Sequence, residues 1–177
     1  MDRRLAEGIH IDGDSPRRAP VEAVIALGAN LGDRAAALAA AAGDLARLPL
    51  VDAVRVSDAV ESVAVKPEGP DAEAPAYLNA VALVTTRLAP SVLLGYLHAI
   101  EERHGRERRE RWGDRTLDLD LIAFGDVRSA GPYLTVPHPR AAARDFVLVP
   151  WLSLDPDAVL PGAGRVDALI EQLRASQ

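Results

Sequence analysis

The most informative absence in this chain of 177 residues is cysteine, of which it has none. Disulfide bonds, thiolate metal sites and cysteine nucleophiles are therefore all excluded. The sequence also lacks an apolar run long enough to cross a bilayer, and its first residues lack the apolar segment of a signal peptide. We therefore expect a cytoplasmic protein with no membrane partner.

Lysine is almost absent as well, because Lys66 is the only one in the chain. Val65 precedes it, so the Gly-Lys-Ser/Thr end of a P-loop cannot occur here. If this protein handles nucleotide phosphates, it has to do so through arginine and metal.

Arginine, by contrast, is concentrated in one segment. Six arginines fall within thirteen residues: Arg103, Arg106, Arg108, Arg109, Arg111 and Arg115. Guanidinium groups suit phosphate oxygens, although a solvated basic loop is the simpler interpretation of the arginines alone. Trp112 lies in the same segment, among charges and with no evident core to join, and this favours a ligand-binding role for the segment.

The formal net charge of −6 argues against general binding to nucleic acids, and we expect no nucleic-acid partner. The arginine segment nevertheless leaves an RNA-binding module as an alternative function. That alternative predicts tight binding to unrelated RNA that weakens steeply with salt. Aromatic residues make up only 4% of the chain, which counts against an RNA-binding surface.

The length suits one domain with a substantial core, since 49% of the residues are apolar and 26% are charged. Residues 1–20 are polar, carry proline and glycine clusters and show no periodicity, so we expect a flexible leader there. Residues 21–177 are expected to form a single domain. Along this domain strands alternate with helices and have hairpin-like neighbours, which predicts an α+β sandwich.

Several elements can be placed from local signals. The apolar run Val21–Leu27 and the alternating stretch Tyr77–Thr86 predict strands. Asp33 is placed to cap an alanine-rich helix. Pro90 suits the first turn of a second long helix, and Gly105 suits its end.

Three further expectations concern less regular stretches. Valines at alternate positions keep strand parity from Val54 into Ser62. The proline-rich and charged segment Lys66–Pro75 predicts a long exposed loop. Apolar residues at helical spacing between Val166 and Leu173 predict a closing amphipathic helix.

Two acids on one strand follow the arginine segment. Residues alternate from Thr116 onward, so Asp118, Asp120 and Ile122 share one strand face. The two carboxylates are roughly 6–7 Å apart by strand geometry, and in the middle of a sheet they would need compensation for repulsion and lost hydration. A hard cation such as Mg²⁺ supplies that compensation. The alternative is an edge strand whose acids face water or pair with nearby arginines.

Other candidate residues are less decisive on their own. His138 lies between two prolines that restrict the backbone around it, although a plain turn would use the same prolines. Asn79 lies in mid-strand, where asparagine is disfavoured, and a heterocyclic ligand edge could satisfy its amide. Tyr77 and Phe146 are equally well explained as core aromatics. Glu101, on its helix, is more typical of a surface acid.

The segment 111–120, Arg-Trp-Gly-Asp-Arg-Thr-Leu-Asp-Leu-Asp, resembles the signature of 6-hydroxymethyl-7,8-dihydropterin pyrophosphokinase, an enzyme family of the folate pathway. Four further pieces of the chain resemble the family in the right order. They are Leu27 to Arg34, Tyr77 to Val81, Ile100 to Arg106, and Val136 to Arg140 followed by Arg144 and Phe146. Five ordered matches of this kind are very improbable by chance.

The resemblance implies a ferredoxin-like α+β sandwich, with a mainly antiparallel central sheet and helices on both faces. It also implies transfer of pyrophosphate from ATP to the hydroxymethyl oxygen of the pterin, with release of AMP. The small molecules expected as partners are ATP and 6-hydroxymethyl-7,8-dihydropterin, and we expect a monomer.

The resemblance further implies a set of site residues. Asp118 and Asp120 would hold two Mg²⁺ ions on the ATP phosphates, and would be catalytic together with Arg106 and Arg115. The pterin would be bound by Tyr77, Asn79, Phe146, Ser62, Val63 and Val65. ATP would be bound by His98, Glu101, Arg106, Arg108, Arg111, Trp112, Arg115, Ile122, Thr135, His138 and Arg144.

One segment departs from the family pattern. The usual Thr-x-Pro-hydrophobic-Gly loop, which contacts the pterin, reads Ser-Val-Ala-Val-Lys over residues 62–66. This departure leaves a second hypothesis open, in which the chain binds pterin or nucleotide but is catalytically impaired.

Overall fold

The elements of the domain follow the local signals closely. The structure, a computed structural model, describes residues 18–66, 69–71, 75–105 and 117–176, so most of the predicted leader lies outside the described residues. The strands are β1 Val21–Ala29, β2 Val51–Val56, β3 Val60–Ser62, β4 Ala64–Lys66, β5 Gly69–Asp71, β6 Tyr77–Thr86, β7 Asp118–Phe124, β8 Ser129–Ala130, β9 Thr135–Val136, β10 Val159–Leu160 and β11 Gly164–Arg165. The helices are α1 Arg34–Ala46, α2 Pro90–Arg103, α3 Asp145–Leu154 and α4 Val166–Ala175, with a short 3₁₀ helix at Ala141–Ala143.

The main sheet has the strand order β2-β6-β1-β7, and β3 also pairs with β6. Each of these pairings is antiparallel. The chain order β1-α1-β2-β6-α2-β7 is the β-α-β-β-α-β arrangement of a ferredoxin-like fold. The predicted ferredoxin-like α+β sandwich with a mainly antiparallel sheet is therefore confirmed.

Helices cover both faces of this sheet, as expected. Alternate residues of a strand point to opposite faces, so β1 contributes Ile25 and Leu27 to a core with α1 and α2, and Val24 to a core with α3 and α4. Leu119 and Leu121 of β7 belong to the core with α1 and α2. None of the helices among the described residues combines the length and the hydrophobicity that a membrane span requires.

The caps and turns read from the sequence are present. Asp33 caps α1, because its Oδ1 accepts a hydrogen bond from the Ala36 N–H at 3.0 Å. Pro90 occupies the first turn of α2, and Gly105 follows its end with a φ of 89°, in the left-handed region that glycine adopts most easily. The closing helix is found as α4.

Two of the expectations between β2 and β6 were wrong in part. The strand expected to run into Ser62 is broken at Ser57, whose Oγ accepts from the Val81 N–H at 3.0 Å and donates to the Asp58 carbonyl at 2.8 Å. The Ser57 N–H still donates to the Val81 carbonyl at 2.9 Å, but the hydroxyl accepts the Val81 N–H in place of a backbone carbonyl, and this interrupts the regular pairing with β6. The expected long loop contains β5, which pairs antiparallel with β4.

Candidate active site

The acid pair lies on β7, where the register with β1 places Asp118 opposite Gly28 and Asp120 opposite Ala26. Both aspartates are partly exposed, whereas Leu119 between them is buried. They therefore share one face of the strand, as predicted, and this is the face covered by α3 and α4. Because β7 ends the strand order of the main sheet, ligands can reach these carboxylates from the edge.

Arg144 compensates part of the negative charge. Its Nη1 donates to Oδ2 of Asp120 at 2.9 Å. The guanidinium carbon of Arg144 also lies 5.7 Å from the centre of the Phe146 ring. The arginine pairing considered as an alternative for the acids is thus present at Asp120, and it brings Arg144 and Phe146 to the same end of the strand.

Glu101 is buried, so the expectation of a surface acid was wrong. Only 3% of it is exposed, and its Oε1 accepts a hydrogen bond from the Leu119 N–H at 2.9 Å. That N–H belongs to the residue between the two aspartates. Glu101 therefore holds the backbone of β7 at the point from which both carboxylates project.

His138 is fixed on the same strand by its backbone. Its N–H donates to the carbonyl of Ile122 at 2.8 Å, while the side chain of Ile122 is fully buried in the core. The imidazole Nδ1 accepts from the Arg140 N–H at 3.1 Å, so in the neutral ring the proton lies on Nε2. This arrangement leaves Nε2–H as a donor to a ligand.

The charge state of His138 follows from its surroundings. Burial lowers the pKa of this imidazole below its ordinary value of 6.5, with Arg144 and Arg140 acting in the same direction and Asp120 opposing them. The neutral form of the ring is therefore favoured at pH 7. A neutral imidazole can donate one hydrogen bond to a phosphate oxygen without adding charge to the site.

A cavity of about 150 Å³ opens between α2, β7 and the segment around β9. It is lined by Leu94, His98, Glu101, Leu119, Asp120, Leu121, Leu134, Thr135 and His138. Five residues predicted to bind ATP or metal are therefore brought together by three separate segments. The predicted residues Arg106, Arg108, Arg111, Trp112 and Arg115 lie outside the described residues.

The residues predicted to bind pterin lie on the neighbouring strands. Nδ2 of Asn79 donates to Oγ of Ser62 at 2.9 Å and more weakly to the carbonyl of Val60 at 3.4 Å. A carbonyl can only accept a hydrogen bond, so the amide nitrogen must face β3. Of the two loop valines, Val63 is 51% exposed, and the side chain of Val65 is outside the described part of the chain.

Gly28 was missed as a site residue in the sequence. A Cβ placed on it would lie 3.4 Å from Oδ1 of Asn79 and 3.8 Å from Cδ1 of Tyr77. A larger residue would therefore narrow the space beside both predicted pterin contacts. A glycine inside a strand pattern often marks such a close approach, and this signal could have identified it.

The sheet register places the two halves of the site side by side. Gly28 pairs with Asn79 on one side and with Asp118 on the other. Residues directly opposite in neighbouring strands share a face, and strands are about 4.8 Å apart, so Asn79 and Asp118 are separated by roughly 10 Å. The side chain of Asn79 and the acid pair therefore lie on one face of the sheet, with Gly28 between Asn79 and Asp118.

The donor set of the acid pair suits a Mg²⁺ ion that a phosphate substrate would help to coordinate. Among the described residues, no group of three or more histidine or carboxylate side chains is placed to hold a metal ion. Mg²⁺ does not need such a cage, because it typically takes one or two carboxylates and completes its shell with water and substrate phosphates. Asp118 and Asp120 fit that pattern.

Comparison with known proteins gives one consistent result. A family model described as 7,8-dihydro-6-hydroxymethylpterin-pyrophosphokinase matches residues 24–156. A 2-amino-4-hydroxy-6-hydroxymethyldihydropteridine pyrophosphokinase from a Synechocystis species is 41% identical over 152 residues, which cover 85% of this chain and 75% of that protein. A protein of the same name from Pseudomonas aeruginosa is 43% identical over 146 residues, covering 82% of this chain and 88% of its own.

Solved structures agree on the fold. A Plasmodium falciparum HPPK-DHPS protein, crystallised with pteroate, superposes with a TM-score of 0.64 and 13% sequence identity over 89% of this chain. The chain spans only 44% of the length of that protein.

Proposed function

Because the chain belongs to the 7,8-dihydro-6-hydroxymethylpterin-pyrophosphokinase family, we propose that Asp118 and Asp120 hold the Mg²⁺ of its ATP substrate. The enzyme transfers pyrophosphate from ATP to the hydroxymethyl group of 6-hydroxymethyl-7,8-dihydropterin in folate synthesis. We propose two Mg²⁺ ions, as the resemblance implies. When bound, they would neutralise charge on the phosphate oxygens.

The observation that carries this assignment is the row Asn79–Gly28–Asp118 across the sheet. It puts a hydrogen-bonding amide, a gap without a side chain and a carboxylate on one face. A pterin held at Asn79 would have its hydroxymethyl group directed along the row toward phosphates held at Asp118. Tyr77 and Phe146 are proposed to stack on the pterin ring, and Ser62, Val63 and Val65 to border it.

ATP is proposed to occupy the cavity beside β7. His98 and Thr135 line it from α2 and β9, and the Nε2–H of His138 is available to a phosphate oxygen. Arg144 lies against Asp120, where it could neutralise charge on a phosphate held through a metal ion at the same carboxylate. Arg106 and Arg115 are proposed to bind the phosphates during transfer. Further ATP contacts are proposed for Glu101, Arg108, Arg111, Trp112 and Ile122.

The chemistry requires little covalent help from the protein. The hydroxymethyl oxygen loses its proton to solvent and forms a bond to the β-phosphorus of ATP, and the bond from that phosphorus to the oxygen of the departing AMP breaks. Catalysis of such a transfer comes mainly from in-line positioning and from stabilising charge on the phosphate oxygens. The proposed roles of Asn79 and of Arg144 match these two requirements.

We further propose that the enzyme acts as a cytoplasmic monomer, with residues 1–20 as a leader and residues 21–177 as the catalytic domain. Size-exclusion chromatography with light scattering tests the monomer directly. A mass of two chains at micromolar concentration would contradict it.

Formation of AMP from ATP and the pterin, followed by chromatography, tests the metal assignment. We expect Asp118→Ala and Asp120→Ala each to lower turnover at least about a hundredfold, because a bound metal supplies several kcal/mol of charge stabilisation. Asp126→Ala is the matched control, since Asp126 is an exposed acid just beyond the other end of β7.

Near-normal turnover in either aspartate variant would refute the metal assignment. A wild-type protein that binds ATP and Mg²⁺ but forms no AMP with the pterin would instead support the catalytically impaired alternative.

A further inference from the structure

A buried carboxylate lies outside the proposed site, on α1, a helix that contributes no residue to that site. Asp44, in the last turn of α1, is only 8% exposed. A carboxylate at this position is unfavourable by itself, because burial costs it hydration and the carbonyl end of a helix is partly negative. A buried, charged Asp44 therefore needs hydrogen-bond donors or positive charges from other parts of the fold.

Those partners come mostly from the end of α2. The Nε2–H of His104 donates to Oδ2 of Asp44 at 3.0 Å, and Arg103 approaches Oδ1 at 3.2 Å. Arg47, on α1 itself, donates to Oδ1 at 2.6 Å. Both arginine side chains are largely exposed, at 65% and 72%, whereas His104 is 18% exposed. The bond from His104 is therefore the best shielded of the three.

His104 is the residue that closes α2. It forms the C-cap, and its backbone N–H bonds to the carbonyl of Ile100. The ends of helices fray more readily than their centres unless side chains tie them to the rest of the fold. Asp44 supplies such a tie for the last turn of α2.

The same last turn carries Glu101, three residues before His104. Glu101 has to stay within hydrogen-bonding distance of the Leu119 N–H to hold β7 between the two aspartates. Any fraying of this turn would move Glu101 and with it one wall of the cavity. The His104–Asp44 hydrogen bond and the cavity residue Glu101 are thus separated by less than one turn of α2.

We propose that Asp44 is a positioning residue for the nucleotide site, acting through His104 and the last turn of α2 to hold Glu101 against β7. This inference rests on the proposed ATP site. It assigns Asp44 no contact with substrate.

The test is a double-mutant cycle between Asp44→Asn and Glu101→Met, which removes the acceptor for the Leu119 N–H at similar side-chain length, with KM for ATP and for pterin measured separately. Asp44→Asn should raise the KM for ATP about 2- to 30-fold, the usual range for residues that act through others, and change the KM for pterin less. If Asp44 acts through Glu101, the double variant should resemble Glu101→Met alone, whereas distant independent sites add. Additive effects would overturn the proposal.

Variants at His104 test the same chain of contacts without changing Asp44, so any effect of the Asp44 substitution on folding does not enter. His104→Gln keeps an N–H donor for Asp44 and should leave the KM for ATP near the wild-type value, whereas His104→Ala should reproduce Asp44→Asn. Equal KM values in the two His104 variants would overturn the proposal.

Asp167→Asn is the matched control, because Asp167 also pairs with an arginine, at 2.8 Å, but at the start of α4. It should not change the KM for ATP, and an increase equal to that of Asp44→Asn would mean a general loss of stability and overturn the proposal. A Glu101→Met variant with unchanged KM for ATP would overturn the ATP-site assignment of Glu101 itself, and the positioning role with it.

Discussion

Arg144 donates a hydrogen bond from Nη1 to Oδ2 of Asp120 at 2.9 Å, from the segment that leads into α3. The side chains are 19% and 45% exposed, and ion pairs with this degree of exposure typically contribute about 1 kcal/mol or less to stability. The pair therefore matters mainly because it orients the Asp120 carboxylate and keeps a positive charge beside it.

Arg144→Gln should separate these two effects. We expect the free energy of unfolding to fall by less than about 1 kcal/mol. Turnover should fall about 10- to 100-fold, as is usual when a partner that orients a metal-binding carboxylate is lost. Urea unfolding measures the change in the free energy of unfolding, and the rate of AMP formation measures turnover. Arg87→Gln, which breaks a pair of the same length with Asp52, should leave turnover unchanged; a similar loss of turnover there would contradict this interpretation.

The lowered pKa of His138 predicts a pH dependence of stability with a definite sign. In the unfolded chain the imidazole takes up a proton near its ordinary value of 6.5, whereas the folded chain does so only at lower pH, chiefly because burial disfavours the charge. The unfolded state therefore binds more protons in this window, and stability should decrease as pH falls from 6.5 through the folded pKa.

Replacing His138 with Gln should flatten that part of the stability curve. Asp120→Asn should lower the pKa of His138 further, because among the described residues Asp120 is the neighbour that raises it. An NMR titration of the His138 ring measures both the wild-type value and this change. A folded pKa above 6.5 would contradict the burial argument.

The orientation of Asn79 predicts the effect of a substitution of nearly equal size. Asn79→Asp replaces the amide nitrogen that donates to Ser62 and Val60 with an oxygen that cannot donate to the Val60 carbonyl. These bonds orient the side chain that is proposed to bind the pterin edge. We expect the KM for pterin to rise about tenfold when that orientation is lost, since a hydrogen bond of this kind contributes about 1–2 kcal/mol.

The KM for ATP should remain within about twofold in this variant, because Asn79 is roughly two strand spacings from Asp118. Ser62→Ala, which removes only one of the two acceptors, should have a smaller effect in the same direction. An increase in the KM for ATP equal to that for pterin would show that the variant disturbs the whole sheet.

Asp44 should also affect stability in acid. Its pKa lies below its ordinary value of 3.8, mainly because His104 donates a hydrogen bond to it. A group with a depressed folded pKa stabilises the fold above its unfolded pKa, and this contribution is lost as pH falls through the folded value. Urea unfolding between pH 2 and pH 6 should show a shallower acid loss for Asp44→Asn than for wild type. Parallel curves would contradict the assigned pairing.

Much of the architecture was predictable because its signals are local. The two-residue period of a strand was enough to place Asp118 and Asp120 on one face, opposite Leu119. The cap at Asp33 and the ends of α2 at Pro90 and Gly105 follow from what single residues allow the backbone to do. The break at Ser57 was missed because a serine hydroxyl in competition with strand pairing leaves no periodic trace.

The site itself depended on contacts between distant parts of the chain. The sequence by itself determined which residue types were available and which strand face they occupied. Only the tertiary structure decided that Gly28 lies between Asn79 and Asp118, that Glu101 is buried against Leu119, and that Asp44 ties down the end of α2. Sheet register and helix packing join segments tens of residues apart, and these arise from the burial of both cores together, which no local pattern records.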